Sequence, residues 1–172
     1  MSITVLNPGL LTTVRDLGRI GYQQFGVSVS GVMDPRSAGI ANILAGNPQG
    51  EAVLECTMMG PQLQFDRANC IAIAGGDLGP TLDGKPIPSH QAVSIKAGPR
   101  SLLLYRPFRT GLPGLSRLLP AAWTSGDLMS SRSAYRRLRS AAFRAASWRR
   151  ATRSASAPCG APEEHGAAPP HP

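Results

Sequence analysis

"MDPRSAGIANILAGN" (residues 33–47) is the one clear helical stretch in this chain of 172 residues, and the fold is read outward from it. Asp34 can accept from the free N–H groups of a first turn, and Pro35 suits the first helical position, where no N–H is needed. Ile40, Ala41, Ile43 and Leu44 then form an apolar stripe, and Gly46 supplies the stop. A helix is expected over 34–46.

Nothing on either side repeats that pattern. "ITVL" (3–6) is a short β-rich run ended by the turn signal "NPG". "TTVRDLGRIGYQQFGV" (12–27) spaces Gly18, Gly21 and Gly26 too irregularly for a helix and reads as a long, structured loop. After the helix come short apolar runs broken by turn residues: "AVLECT", "QLQF", "CIAIAG", "TLDGKPI", "AVSI" and "SLLLY". Asp83-Gly84 between two of them is a hairpin signal, because both positions tolerate positive φ. Strands at this spacing around one helix predict a mainly β, barrel-like domain.

The charge divides the chain. Residues 1–104 hold 7 Lys+Arg and 7 Asp+Glu, while the remaining 68 hold 11 and 3, so the whole net charge of +8 lies there. The first part is a neutral globular sequence long enough for a core. Cys56 and Cys70 sit in apolar, strand-like runs and are expected as small buried thiols, with Cys159 left over. Cysteine usage suits a reducing cytoplasm. The first residues lack the basic start of a signal peptide, and no apolar run approaches the roughly 20 residues that cross a bilayer.

No familiar catalytic set stands out. His90 follows Pro88 in a turn without a second His or Cys at ligand spacing, so no metal is expected. "GGDLG" (75–79) lacks the Lys and Ser/Thr of a phosphate-cradling loop. Asp16, Asp34, Glu55 and Asp77 lie beside glycines or strand ends, where carboxylates serve either catalysis or turns. For Asp34 the capping role is expected.

Read together, "NPGLLTTVRDLGRIGYQQFGVSVSGVMD", "ANILAGNP", "VLECTMMGPQLQF" and "AIAGGDLGPTLDGKPIP" resemble the allophanate hydrolase subunit 2 family. That family includes the C-type subunit of the bacterial 5-oxoprolinase, and the carboxyltransferase part of urea amidolyase is a relative. The resemblance covers residues 2 to about 104. It implies a partial cyclophilin-like β-barrel, a B-type partner protein, and ATP-dependent opening of a small cyclic amide, 5-oxoproline, to glutamate. ATP would belong to the assembled 5-oxoprolinase complex. A carboxyltransferase or allophanate hydrolase role of the urea amidolyase type is the alternative. Residues matching the motif are Thr12, Thr13, Asp16, Gly18, Arg19, Gly31, Met33, Asp34, Asn42 and Glu55. They serve either contact with substrate and partner or folding.

The resemblance divides the chain at 105. From 106 to 172 the expected family motifs are missing in the frame as given. "LPGLSR" (112–117) and "PAAWTS" (120–125) are what GC-rich codons for Cys-Arg-Ala-Tyr-Leu-Ala and Ala-Gly-Gly-Leu-Asp-Val yield one base out of frame. "SAAFRAASWRRAT" (140–152) is likewise a shifted Gly-rich run. "SSRSAY" (130–135), by contrast, matches in frame, so several small insertions or deletions are needed. The tail is expected to be irregular or helical, and disordered over 154–172. The competing reading is a basic arm over 130–157 that binds nucleic acid. There Arg136, Arg137, Arg139, Arg144, Arg149, Arg150 and Arg153 would contact phosphates, and Tyr135, Phe143 and Trp148 would stack on bases.

Overall fold

The computed structural model describes residues 3–65, 68–96, 101–105, 115–118 and 128–134. The expected strands form: β1 (Ile3–Asn7), β3 (Val53–Thr57), β4 (Gln62–Phe65), β5 (Asn69–Gly75), β6 (Pro80–Leu82), β7 (Lys85–Pro86), β8 (Ala92–Ile95) and β9 (Ser101–Tyr105). Two more were not anticipated. The start of the expected long loop is strand β2 (Leu11–Arg15), because its β-branched Thr12, Thr13 and Val14 pair along β3, Thr12 with Cys56 and Val14 with Leu54. In the tail, β10 (Leu115–Leu118) pairs between β3 and β5. The basic arm beyond 134 and the segment 154–172 lie outside the described residues.

The strands make two five-stranded sheets, ordered β1-β4-β9-β6-β7 and β2-β3-β10-β5-β8, with antiparallel pairing. Among the described residues the architecture is mainly β with one α-helix and no closed barrel, consistent with a partial cyclophilin-like fold. Alternation along the strands decides which side chains meet. Ile3, Leu63 and Phe65 from the first sheet and Val14, Leu54, Cys56, Ile71, Ile73 and Ile95 from the second form one core cluster. Full burial of each large side chain there stabilises by about 1.5–3 kcal/mol.

The opposite face of the second sheet carries the helix. α1 (Pro35–Leu44) starts as expected, with Asp34 accepting from Ser37 N at 3.1 Å and also from the Ser37 hydroxyl. Its buried face is the expected stripe only in part. Of that stripe Ala41 is buried as expected and Leu44 is half-buried, but Ile40 and Ile43 are exposed, and Ala38, Gly39 and Asn42 are buried in their place. Ala38 and Ala41 cluster with Val53 and Ala74, so the helix lies close to a sheet face that itself bears small side chains. The hairpin at Asp83-Gly84 is as expected, with φ of 51° and 80° joining β6 to β7. Cys56 is a buried free thiol. Cys70 departs from the expectation, being half-buried and disulfide-bonded, because it points away from the core between the inward Asn69 and Ile71 positions.

Candidate functional site

The site lies along β2, the outer strand of the second sheet, on the face that also carries α1. Thr13 and Arg15 share that face with Glu55, which pairs directly with Thr13. Beyond Arg15 the chain leaves the sheet and returns to α1 through a loop. Arg19 N donates to Val29 O at 2.8 Å and Val32 N to Asp16 O at 2.9 Å, closing the loop's neck. Two glycines make this possible. Gly18 has φ of 93°, and a Cβ on it would lie 2.7 Å from Gly31 N; one on Gly31 would lie 2.6 Å from Leu17 O. Each is glycine because backbone occupies the place of its side chain.

Asp16 is the centre of the cluster. Its Oδ1 accepts from Gly18 N at 2.7 Å, from the Ser131 hydroxyl at 2.7 Å and from the Ser133 hydroxyl at 2.6 Å. Its Oδ2 accepts from Arg132 N at 2.5 Å. Burial pulls this carboxyl up, but the Ser133 and Ser131 hydroxyls with the N–H groups of Arg132 and Gly18 outweigh that. The net effect holds it below its ordinary value. A carboxylate with four donors in place is a structural anion; its lone pairs are committed.

The two flanking arginines complete the clasp. Arg19 is buried, and its guanidinium donates to Ser133 O. Arg15 donates through Nη1 to Ser30 O at 2.8 Å and Ala134 O at 3.1 Å, and through Nε to the Thr13 hydroxyl at 3.1 Å. Its Nε also lies 4.0 Å from Glu55 Oε2. Glu55 Oε1 in turn accepts from Met33 N at 2.9 Å, joining the end of the loop to β3. Arg132 pairs with Glu51. Ser131 and Ser133 are buried, and Ala134 N donates to Val14 O at 2.9 Å on the outer edge of β2.

The structure therefore gathers Thr13, Asp16, Gly18, Arg19, Gly31, Met33 and Glu55 from the motif, Met33 through its backbone while its side chain is exposed. Three motif residues stand elsewhere. Thr12 is buried on the core side beside Cys56, whose thiol burial pushes up to about 12, partly opposed by the Thr12 hydroxyl and reinforced by Glu55. That thiol is inert. Asp34 caps α1. Asn42 is buried and donates to Gln49 O at 3.1 Å and Glu51 O at 2.8 Å, tying the helix to the loop after it. Sequence reading did not name Arg15, Glu51, Ser131, Arg132 or Ser133 as site residues. The in-frame match of "SSRSAY" was the signal that could have found the last three.

The second glycine-rich turn stands apart. Asp77 Oδ1 accepts from Gly79 N at 2.7 Å, and Gly75 N donates to Nε2 of the exposed His90 at 3.5 Å. With these N–H groups engaged and a carboxylate facing them, the turn does not fit a nucleotide phosphate. Among the described residues no group of three His, Cys, Asp or Glu is placed to hold a metal, and no helix is long and apolar enough to cross a membrane.

Comparison with known proteins agrees with this framework. The model of the carboxyltransferase domain, subdomain A and B, matches residues 25–139. The chain belongs to this family. As a carboxyltransferase-domain member it is 41% identical over 98 residues to the urea amidolyase of Saccharomyces cerevisiae, covering 56% of this chain and 5% of that protein. It is 33% identical over 105 residues to the C-type subunit of 5-oxoprolinase from Escherichia coli, covering 61% of this chain and 34% of that one. The crystal structure of K. lactis urea amidolyase superposes with a TM-score of 0.70 at 33% identity, covering 77% of this chain and 8% of that one. The carboxyltransferase-domain chain thus spans about a third of one relative and a small part of the others.

Proposed function

We propose that this chain is a truncated subunit of an ATP-dependent, 5-oxoprolinase-like amidohydrolase that acts in the cytoplasm and is inactive alone. The complete enzyme, with a B-type partner protein, would open 5-oxoproline to glutamate. The supporting observation is the gathering of motif residues 13–19 with residues 131–134 into one clasp, in a chain similar to the C-type subunit of 5-oxoprolinase. Here Asp16 and Arg19 hold the scaffold, and Arg132, Glu51 and Arg15 are the charged groups nearest its surface. In this reading ATP belongs to the assembled complex. The carboxyltransferase role of the urea amidolyase type is the second reading, favoured by the higher identity to that enzyme.

The truncation rests on the tail. Strand β10 lies between two strands of a sheet covered on one face by the core and on the other by α1. Polar groups covered on both faces are costly to bury, yet the sequence supplies Leu-Ser-Arg-Leu, with Arg117 in register with Glu55 and Ala74. We read residues 106–172, apart from 130–135, as frame-disrupted. The basic arm is then a by-product of codon composition.

The test compares the chain as it is with a version whose frames are restored over 106–172. Each is mixed with a B-type partner protein, ATP and 5-oxoproline, and glutamate is measured. The restored chain releases glutamate and the present chain does not. Release by the present chain overturns its inactivity. A restored chain that leaves 5-oxoproline intact but, when given urea and a carboxylated biotin carrier as the carboxyl donor, carboxylates urea establishes the second reading. Independent reads of the gene with an uninterrupted frame, and the tail present in the purified protein, overturn the truncation.

A further inference from the structure

Residues 128–134 reach the second sheet from far along the chain and attach to it through a set of polar groups. Leu128 N donates to Ser131 O at 2.9 Å and Ser131 N to Leu128 O at 3.2 Å, closing a two-residue turn. Both turn residues are in the left-handed region, Met129 at φ of 53° and Ser130 at 58°. Glycine and asparagine adopt that conformation readily; methionine and serine do so at a cost. Beyond the turn, the segment is held by Asp16, Arg15, Arg19 and the outer edge of β2, through the contacts of Ser131, Arg132 N, Ser133 and Ala134 N. Of its apolar residues Ala134 is buried, and Leu128 and Met129 are half-buried.

We propose that residues 128–134 are a strap that opens as a unit while both sheets stay folded. Closed, the strap covers the edge of β2 and holds both arginines through its own carbonyls. Open, it bares that edge together with Arg15, Asp16 and Arg19. The reason is a mismatch between the two kinds of attachment. The sheets are joined by an apolar core that unfolds only globally, whereas the strap holds by hydrogen bonds that water replaces and sits on a strained turn. This reading is independent of the enzymatic one and survives its failure.

Amide hydrogen exchange on the full chain tests it. The amides of Arg132 and Ala134 exchange at least about tenfold faster than those of β3 and β5 under native conditions. Ser130→Gly, which relieves the turn without touching a contact, slows the two strap amides severalfold and leaves β3 unchanged. Ser133→Ala speeds them by about tenfold, again with β3 unchanged. Strap amides that exchange in step with β3 in the wild-type chain overturn the proposal. So does a Ser130→Gly chain whose strap exchange is unaltered.

Discussion

The tripeptide Asp-Leu-Gly occurs twice, at 16–18 and at 77–79, and folds the same way each time. In both, the aspartate Oδ1 accepts from the glycine N–H two residues on at 2.7 Å. There the likeness ends. Asp16 also takes two hydroxyls and a further N–H from residues more than a hundred positions away, while Asp77 is exposed at a sheet end. The local sequence dictates a turn in each case. What separates a scaffold anion from a surface turn is tertiary company, and no window of a few residues contains it.

Removing the carboxylates gives the largest contrast. Asp16→Ala strands the Ser131 and Ser133 hydroxyls and the Arg132 N–H, at about 1–3 kcal/mol for each group left without a partner. A total loss of roughly 3 kcal/mol or more is expected, against about 0.5–1 kcal/mol for Asp77→Ala. Urea unfolding of the two variants measures the difference, and equal losses would erase the distinction. The glycines come next. A Cβ at Gly18 would lie 2.6 Å from Val29 O and 2.6 Å from its Cγ1, so Gly18→Ala must shift the loop neck and costs about 1–3 kcal/mol. Gly79, at φ of 60°, faces the conformational penalty of an L-residue there, about 1 kcal/mol.

Acid sharpens the comparison further. Asp16 is held below its ordinary value of 3.8 in the folded chain. A group whose carboxyl is depressed by folding adds stability above the ordinary value, and that stability is lost as pH falls through the folded one. The stability gap between wild type and Asp16→Ala is therefore constant from neutral pH down to about 5 and shrinks below 3.8. Urea midpoints collected across that range check it; a gap that widens toward acid contradicts the saturated-carboxylate account.

Much of the fold was legible because its causes are local. Asp34 with Pro35 marks a helix start wherever it occurs, Asp83-Gly84 marks a hairpin, and the short apolar runs mark strands. The helix face was legible only in part, at Ala41 and Leu44. Its burial is decided by Ala74 and Val53 on the sheet beneath, which favour Ala38 and Ala41 over the larger Ile40 and Ile43. Strand β2 was hidden for a similar reason, since Thr-Thr-Val-Arg becomes a strand by pairing with β3 some forty residues later. Of the site, the motif named Asp16, Arg19 and Glu55, but Arg15 and the serines acquire their meaning only once residues 131–134 lie against β2.

The smallest expected effect separates backbone from side chain at one residue. Arg132 serves the clasp twice: its N–H donates to Asp16 Oδ2, and its guanidinium pairs with Glu51. The side chain is 33% exposed, so water and salt screen that pair, and holding a long side chain in one rotamer costs entropy. The N–H lies on the half-buried Asp16 carboxylate, where three further donors already sit, and it is lost to solvent when the segment opens. Arg132→Gln, which deletes the ion pair and keeps the N–H, is expected to cost no more than about 0.5–1 kcal/mol. That loss should fade as salt is raised, while the cost of Asp16→Ala should not. A loss from Arg132→Gln approaching that of Asp16→Ala would shift the anchor of residues 131–134 from Asp16 to Glu51, and the contrast between the two Asp-Leu-Gly turns would lose its cause.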